Sequence, residues 1–188
     1  MLVLPEIIEN FVSKEMCDYL NESLSKFAPV DENGYASLFV DPTSVAPENT
    51  YFFNSLDELD KDQIILRDLI NLLQQAASNQ FNIQKSLMSV DRINYRTFKD
   101  GQFFHYHIDQ CGEGGAIYTA LLYLNDDYEG GEIVFYDIEF GQDGPFEAFH
   151  PTPGTLFCFR GDHNSPHEVL PVLSGTRANI AMNFRLWD

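Results

Sequence analysis

Basic residues are scarce in this sequence. Lys and Arg number 11 against 29 Asp and Glu in 188 residues, which gives a net charge of −18 and a pI near 4.4. A chain with so little to neutralise phosphate is excluded as a binder of duplex nucleic acid or of an anionic membrane surface. Cysteine is scarce too. Cys17, Cys111 and Cys158 are an odd number at wide spacing, which argues against a disulfide framework or a Cys-based zinc site and fits a reducing, cytoplasmic compartment. No run reaches 18 apolar residues, so no membrane span is expected. The start, MLVLPEIIENFVSKE, has no basic leader and meets an acid at Glu6, unlike a secretory signal. What the chain has in quantity is aromatic residues, 16 Phe, 9 Tyr and one Trp, far more than a disordered chain carries. The length suits a single domain, residues 1–188.

Hydrophobic periodicity divides the chain near residue 85. Residues 2–11 read as a short strand, and Ser13 can cap a helix whose apolar positions Cys17, Leu20, Leu24 and Phe27 recur at helical spacing. Residues 28–55 hold three prolines, no Lys or Arg, and the acids Asp31, Glu32, Asp41 and Glu48, the composition of a long acidic loop or a loosely paired hairpin. A second helix is expected from Leu56 to Ala77, with Leu66, Leu69, Ile70, Leu73 and Ala77 on one stripe. From residue 86 the pattern becomes strands punctuated by Gly, Pro, Asn and Asp: 86–98, 102–109, 116–126, 131–137, 146–150, 155–160, 167–172 and 178–187. The fold class is therefore α+β, with N-terminal helices (1–85) packed on a sandwich or barrel of antiparallel strands (86–188).

Several residues can carry chemistry. In His107-Ile108-Asp109 the strand period points an imidazole and a carboxylate to one face. A third ligand from elsewhere would complete the two-His, one-carboxylate face that non-haem Fe(II) oxygenases use. The dyad alone is weak, since about 0.4 such pairs arise by chance at this His and Asp content. His105 shares the strand face in a regular strand but lies about 13 Å from Asp109, which makes it a wall residue or a hydrogen-bonded surface histidine rather than a ligand. Downstream, Pro166-His167-Glu168-Val169 leads through Gly175-Thr176-Arg177 into an apolar strand. Residues 100–188 hold 14 acids and only three bases, Arg160, Arg177 and Arg185. Arg177 is thus either kept for an anionic ligand or spent in a salt bridge. Gly112–Gly115 reads as a surface turn, Cys158 as core, and His150 and His163 as solvated turn residues.

The ordered set Tyr95, Gly101-Gln102-Phe103-Phe104, His107-x-Asp109, Tyr123-Leu124-Asn125, Gly130-Gly131-Glu132, Pro166-His167-Glu168-Val169 and Gly175-x-Arg177 resembles the 2-oxoglutarate- and Fe(II)-dependent dioxygenases of the prolyl 4-hydroxylase type. The order of the N-terminal segments is similar to that of the hypoxia-inducible-factor prolyl hydroxylases. The resemblance implies a double-stranded β-helix, or jelly roll, with the helices on one sheet. It also implies Fe(II) held by His107, Asp109 and His167, and 2-oxoglutarate held at its far carboxylate by Arg177 and Tyr123. Tyr95 falls near a pocket tyrosine of the family. O2 would be the oxidant, with ascorbate as a reductant.

The implied reaction is hydroxylation of a C–H bond with succinate and CO2 as co-products. The implied substrate is a prolyl residue in a peptide or protein, neutral or basic by charge complementarity with the acidic loop. A free amino acid or other small molecule is the alternative substrate. A non-catalytic acidic jelly-roll module that binds a basic protein is the alternative of another class, and such a module has no use for Arg177 and Tyr123 beside a metal triad. Two positions depart from the family pattern: Phe104 stands where a tyrosine is usual three residues before the first ligand, and Asn183-Phe184 stands where an indole is common.

Overall fold

The computed structural model describes residues 2–26, 36–40, 61–109 and 117–186, with the backbone alone at 36–40, 61–64, 66 and 92. The expected helical residue Phe27, the remainder of the 28–55 loop, residues 56–60, Cys111 and the Gly112–Gly115 turn lie outside that description. In chain order the elements are β1 (Glu6–Ile8), α1 (Lys14–Ser25), β2 (Ala36–Val40), α2 (Lys61–Phe81), a 3-10 turn (Lys85–Leu87), β3 (Met88–Lys99), β4 (Phe104–His107), β5 (Ile117–Tyr123), β6 (Tyr128–Gly130), β7 (Ile133–Asp137), β8 (Gly141–Phe149), β9 (Leu156–Arg160), β10 (His167–Val169) and β11 (Val172–Leu186).

The strands form two antiparallel sheets. The larger has the order β1-β9-β5-β11-β3-β2, with β6 added beside β11, and the smaller has the order β4-β10-β7-β8. This is the jelly roll expected from the sequence. Helix α1 starts where Ser13 Oγ accepts the Met16 amide at 3.3 Å, and its stripe Cys17, Leu20 and Leu24 is buried. That stripe joins Leu69, Leu73 and Ala77 of α2 against the outer face of the large sheet, where Ala120, Leu122, Cys158, Ile180 and Met182 point outward. The alternate residues of the same strands, Leu121, Tyr123, Phe157, Phe159 and Ala181, point inward to meet Ile133 and Phe135 of the small sheet. Strands β5 and β9 are buried on both faces, which is why they read as continuous apolar runs rather than as alternating ones.

Some boundaries differ from expectation. The first strand shrinks to three residues because only Glu6–Ile8 finds a partner ladder, on β9. The expected 167–172 strand divides after Val169, where Leu170-Pro171 turns the chain out of the small sheet and Val172 starts the 15-residue β11. Strand β8 begins at Gly141, five residues earlier than expected. Strands β2 and β6 carry little periodic signal and are held by their neighbours, β3 and β11.

Candidate metal centre and anion pocket

The inward faces of β3, β5 and β11 meet the small sheet around a pocket that encloses about 400 Å³ with its mouth included. Strand register builds it. On β11, residues 177, 179, 181 and 183 share one face, and the last three lie directly opposite Tyr123, Leu121 and Thr119 of β5. From the small sheet, His107 of β4 and His167 of β10 are direct cross-strand partners, with ring centroids 4.3 Å apart. Asp109 follows β4, and a side chain at Gly161 would meet its Cβ at 2.8 Å, so that glycine permits the approach.

The ligating atoms of His107, Asp109 and His167 all lie within 4.8 Å of one another. Asp109 Oδ1 stands 3.4 Å from His107 Nε2 and 3.8 Å from His167 Nε2. Neighbouring ligands around one first-row metal are ~3 Å apart, so the three fit an Fe(II) ion with little movement. Both imidazoles are oriented from behind: Nδ1 of His107 is 2.6 Å from the His105 carbonyl oxygen, and Nδ1 of His167 is 2.9 Å from that of Ser165. A carbonyl can only accept, so each Nδ1 carries the proton and each Nε2 keeps a lone pair for a metal.

Asp109 is fixed in turn. Thr119 Oγ1 donates to its Oδ2 at 2.5 Å, and Asn183 Nδ2 donates to Thr119 Oγ1 at 2.9 Å. Burial opposes the carboxylate charge, but in the metal-free site with the imidazoles protonated the hydrogen bond from His107, the field of His167 and the Thr119 hydroxyl outweigh it and hold Asp109 well below the usual carboxylate range. Burial is the main reason the His167 imidazole is harder to protonate than a free one, only partly offset by Asp109.

Deeper in the pocket Arg177 is 1% exposed. One amino group donates to Asn179 Oδ1 at 2.9 Å and the other to the Tyr123 hydroxyl at 3.2 Å, while its plane lies between the rings of Tyr123 and Phe98, at 5.1 and 5.2 Å. Its Nε has no acceptor, and the buried Tyr128 hydroxyl completes no hydrogen bond. Among the described residues Arg177 faces no carboxylate. A buried guanidinium costs on the order of several kcal/mol in lost hydration unless an anion meets it. Within the described residues, then, Arg177 is not spent in a salt bridge, as the anion-ligand reading expects. Gly131 makes room for it, since a Cβ there would sit 3.1 Å from Arg177 Cδ and 2.9 Å from Val172 Cγ2 at a φ of +67°.

Two expectations need correction. Tyr95 does not reach the pocket. Strand alternation turns it with Ile93 toward the helices, where its hydroxyl donates to Asn21 Oδ1 at 2.7 Å, and Arg96 and Phe98 face the pocket instead. His105 does not share a face with His107. The β4–β10 register steps from His107↔His167 to Phe104↔Val169, three residues against two. That bulge brings Phe104 into the pocket wall and leaves His105 exposed against the Phe103 ring. Thr119 and Asn179 escaped the sequence reading, and Asn183 entered it only as a departure from the family pattern, although each is a polar residue at an even separation from Tyr123 or Arg177 within an apolar stretch of its strand.

Comparison with known proteins now bears on this geometry. A family model described as the 2OG-Fe(II) oxygenase superfamily matches residues 92–185, half of the chain. The chain belongs to the 2OG-Fe(II) oxygenase superfamily. Human prolyl 3-hydroxylase 2 is 36% identical over 69 residues, which cover 37% of this chain and 10% of that protein, so the match spans about a tenth of the curated relative. Among solved structures, a Pseudomonas putida prolyl-4-hydroxylase superimposes with a TM-score of 0.67 at 20% identity, covering 98% of this chain and 93% of that one. A Trichoplax adhaerens prolyl hydroxylase, in complex with a hypoxia-inducible-factor peptide fragment, gives 0.69 at 16% identity, covering 96% and 83%. These structural likenesses concern the fold. Membership of the superfamily implies Fe(II) and 2-oxoglutarate, and the donor set of the triad and the unmatched cation of Arg177 suit both.

Proposed function

We propose that this oxygenase hydroxylates a C–H bond of a prolyl residue in a peptide or protein, consuming O2 and converting 2-oxoglutarate to succinate and CO2, with ascorbate as reductant. The observation that carries the reading is the pairing, in one pocket, of a His-Asp-His triad with a buried arginine that meets no carboxylate among the described residues.

In this reading His107, Asp109 and His167 would hold the Fe(II) ion, a two-His, one-carboxylate donor set of the kind non-haem Fe(II) oxygenases use. Arg177 and Tyr123 take the far carboxylate of 2-oxoglutarate through a guanidinium fork and one phenolic donor. Phe98, Leu121, Ile133 and Phe159 exclude water around that anion and so strengthen its pairing. Iron and 2-oxoglutarate supply the oxidising chemistry when bound, and the chain contributes orientation and dryness. The prolyl assignment draws on the names of the relatives and on the acidic surface. The direct test is succinate formation from 2-oxoglutarate that requires Fe(II) and a proline-containing peptide, with a gain of one oxygen in the peptide. A His107→Ala/Asp109→Ala double variant with equal turnover would overturn the triad assignment.

One observation favours the small-molecule alternative. Arg96 also lines the pocket, with its guanidinium 4.9 Å from the Phe104 ring centroid, and a second cation there suits a substrate that carries its own carboxylate. Competition between free proline and a blocked proline-containing peptide separates the two substrates.

A further inference from the structure

One polar group beside the pocket is used neither by the metal triad nor by the Arg177–Tyr123 pair. Tyr128 opens β6 and is 6% exposed, yet its hydroxyl has no hydrogen-bond partner. The ring itself is closely held. It clusters with Phe98 and Val172 and stacks on the exposed His150 imidazole, with centroids 4.5 Å apart and planes at 23°. Two glycines clear its place. Gly175 faces it across the β6–β11 ladder, where a Cβ would come within 2.9 Å of Tyr128 Cα. A Cβ at Gly131 would sit 3.4 Å from Tyr128 Cε2 and 3.1 Å from Arg177 Cδ, so the ring and the arginine stem meet over that glycine. Phenylalanine would pack in the same space without stranding a hydroxyl, and packing therefore does not account for the oxygen.

Chemistry around the hydroxyl does account for it. The Arg177 guanidinium lies near it without completing a bond. Burial raises the Tyr128 phenol above its usual range, and the charge of Arg177 only partly offsets this. Burial likewise raises Tyr123, against the pull of Arg177 and with the field of Tyr128 adding to the rise, so both phenols converge on the one guanidinium. Both keep their protons, and a protonated phenol can donate to an anion. Tyr123 accepts from Arg177 at 3.2 Å and has its own proton unspent. The Tyr128 hydroxyl and Arg177 Nε are unspent as well. Three donors without acceptors thus surround one buried cation. A carboxylate offers about four acceptor positions on two oxygens, enough for all three.

We propose that Tyr128 is a second phenolic donor to the far carboxylate of 2-oxoglutarate and sets a preference for 2-oxo acids with a charged far end. The proposal rests on the reading of 2-oxoglutarate as the metal-chelating co-substrate. A 2-oxo acid without the far carboxylate leaves Arg177, Tyr123 and Tyr128 buried and unpaired together, and a site built to pair such groups rejects the analogue that cannot.

The test compares Tyr128→Phe with wild type in thermal melts without ligand and in 2-oxoglutarate titrations with Mn(II) as a stable stand-in for Fe(II). Without ligand Tyr128→Phe should melt at or above wild type, because no hydrogen bond is lost. Its Kd for 2-oxoglutarate should rise about tenfold or more, the scale of a hydrogen bond to a charged group, while its Mn(II) affinity stays the same. Binding of 2-oxobutyrate, which has the same 2-oxo acid head and no far carboxylate, should be equal in the two proteins. In turnover the KM for 2-oxoglutarate should rise and kcat hold. Equal 2-oxoglutarate affinity in the two proteins overturns the proposal and leaves the co-substrate reading standing. A variant that melts well below wild type and keeps wild-type affinity also overturns it, because the hydroxyl then serves a buried water. An equal loss for 2-oxobutyrate does the same, since the effect is then not at the far carboxylate. Binding of 2-oxoglutarate that ignores Mn(II) in both proteins, yet is weaker in Tyr128→Phe, would keep Tyr128 as the anion donor and remove the co-substrate reading.

Discussion

Replacing Arg177 by Met separates a ligand-binding cation from a structural one. In the ligand-free protein two effects oppose each other. Removing a buried, uncompensated guanidinium relieves a desolvation cost of several kcal/mol. The same change strands the Tyr123 hydroxyl and Asn179 Oδ1, at about 1–3 kcal/mol each, and gives up the contacts with the Phe98 and Tyr123 rings. The two nearly cancel, so Arg177→Met should melt close to wild type when no ligand is present.

With 2-oxoglutarate and metal the proteins should part. Ligand at 100 times Kd adds about 2.7 kcal/mol of stability, or roughly 5–11 °C for a chain of this size. Loss of one partner of a buried charge pair costs about 2–5 kcal/mol, which raises Kd at least ~30-fold. At the same ligand concentration the variant then gains under ~0.9 kcal/mol, a shift of at most ~4 °C. The assay is a pair of thermal melts on each protein, with and without 2-oxoglutarate at fixed metal. A variant that is several degrees less stable without ligand, yet shows the full wild-type shift with it, would refute the assignment and make Arg177 structural.

Thr119→Val keeps the shape of the side chain but removes a donor to Asp109, and the loss of such an outer support should weaken metal binding about 10–100-fold by Mn(II) titration; unchanged affinity would mean that the Thr119 hydroxyl does not position Asp109. His105→Ala should leave that titration unchanged, because only the backbone carbonyl of His105 holds His107, and a large loss would place the imidazole at the metal after all. Burial pushes the Cys17 thiol from 9.0 up to about 11, so the unfolded chain releases this proton first. Its contribution is full below pH 9 and is lost as pH rises toward about 11, and alkaline melts should show a slope that Cys17→Ala flattens. Equal slopes would show that other groups drive the alkaline loss.

How far the sequence could be read depended on whether neighbours along the chain or across it set each position. The α1 cap at Ser13, the Cys17-Leu20-Leu24 stripe and the apolar runs of β5 and β9 are local patterns, and burial on one or both faces explains them directly. Short strands such as β2 and β6 have no such pattern, because the ladders of β3 and β11 supply their order. The site shows the same division. His107, Asp109, His167, Tyr123 and Arg177 were legible because a known chemistry constrains their order. Tyr95 and His105 were misplaced because strand parity was carried along the chain without its anchors. Parity on β3 is fixed by Ile93 packing on the helices, which turns Tyr95 outward from the pocket and Arg96 into it. Parity on β4 is reset by a bulge that becomes visible only when β10 pairs with it. Yet a partial signal was present: in the apolar run of β5 and in β11, Thr119 and Tyr123, then Arg177, Asn179 and Asn183, are polar residues at even separations. A strand buried on both faces tolerates polar side chains only where they meet one another or a ligand. That spacing puts each strand's set on one face, and the β5–β11 register makes it the same face, where the Asn183–Thr119–Asp109 relay and the Arg177 anion site are built.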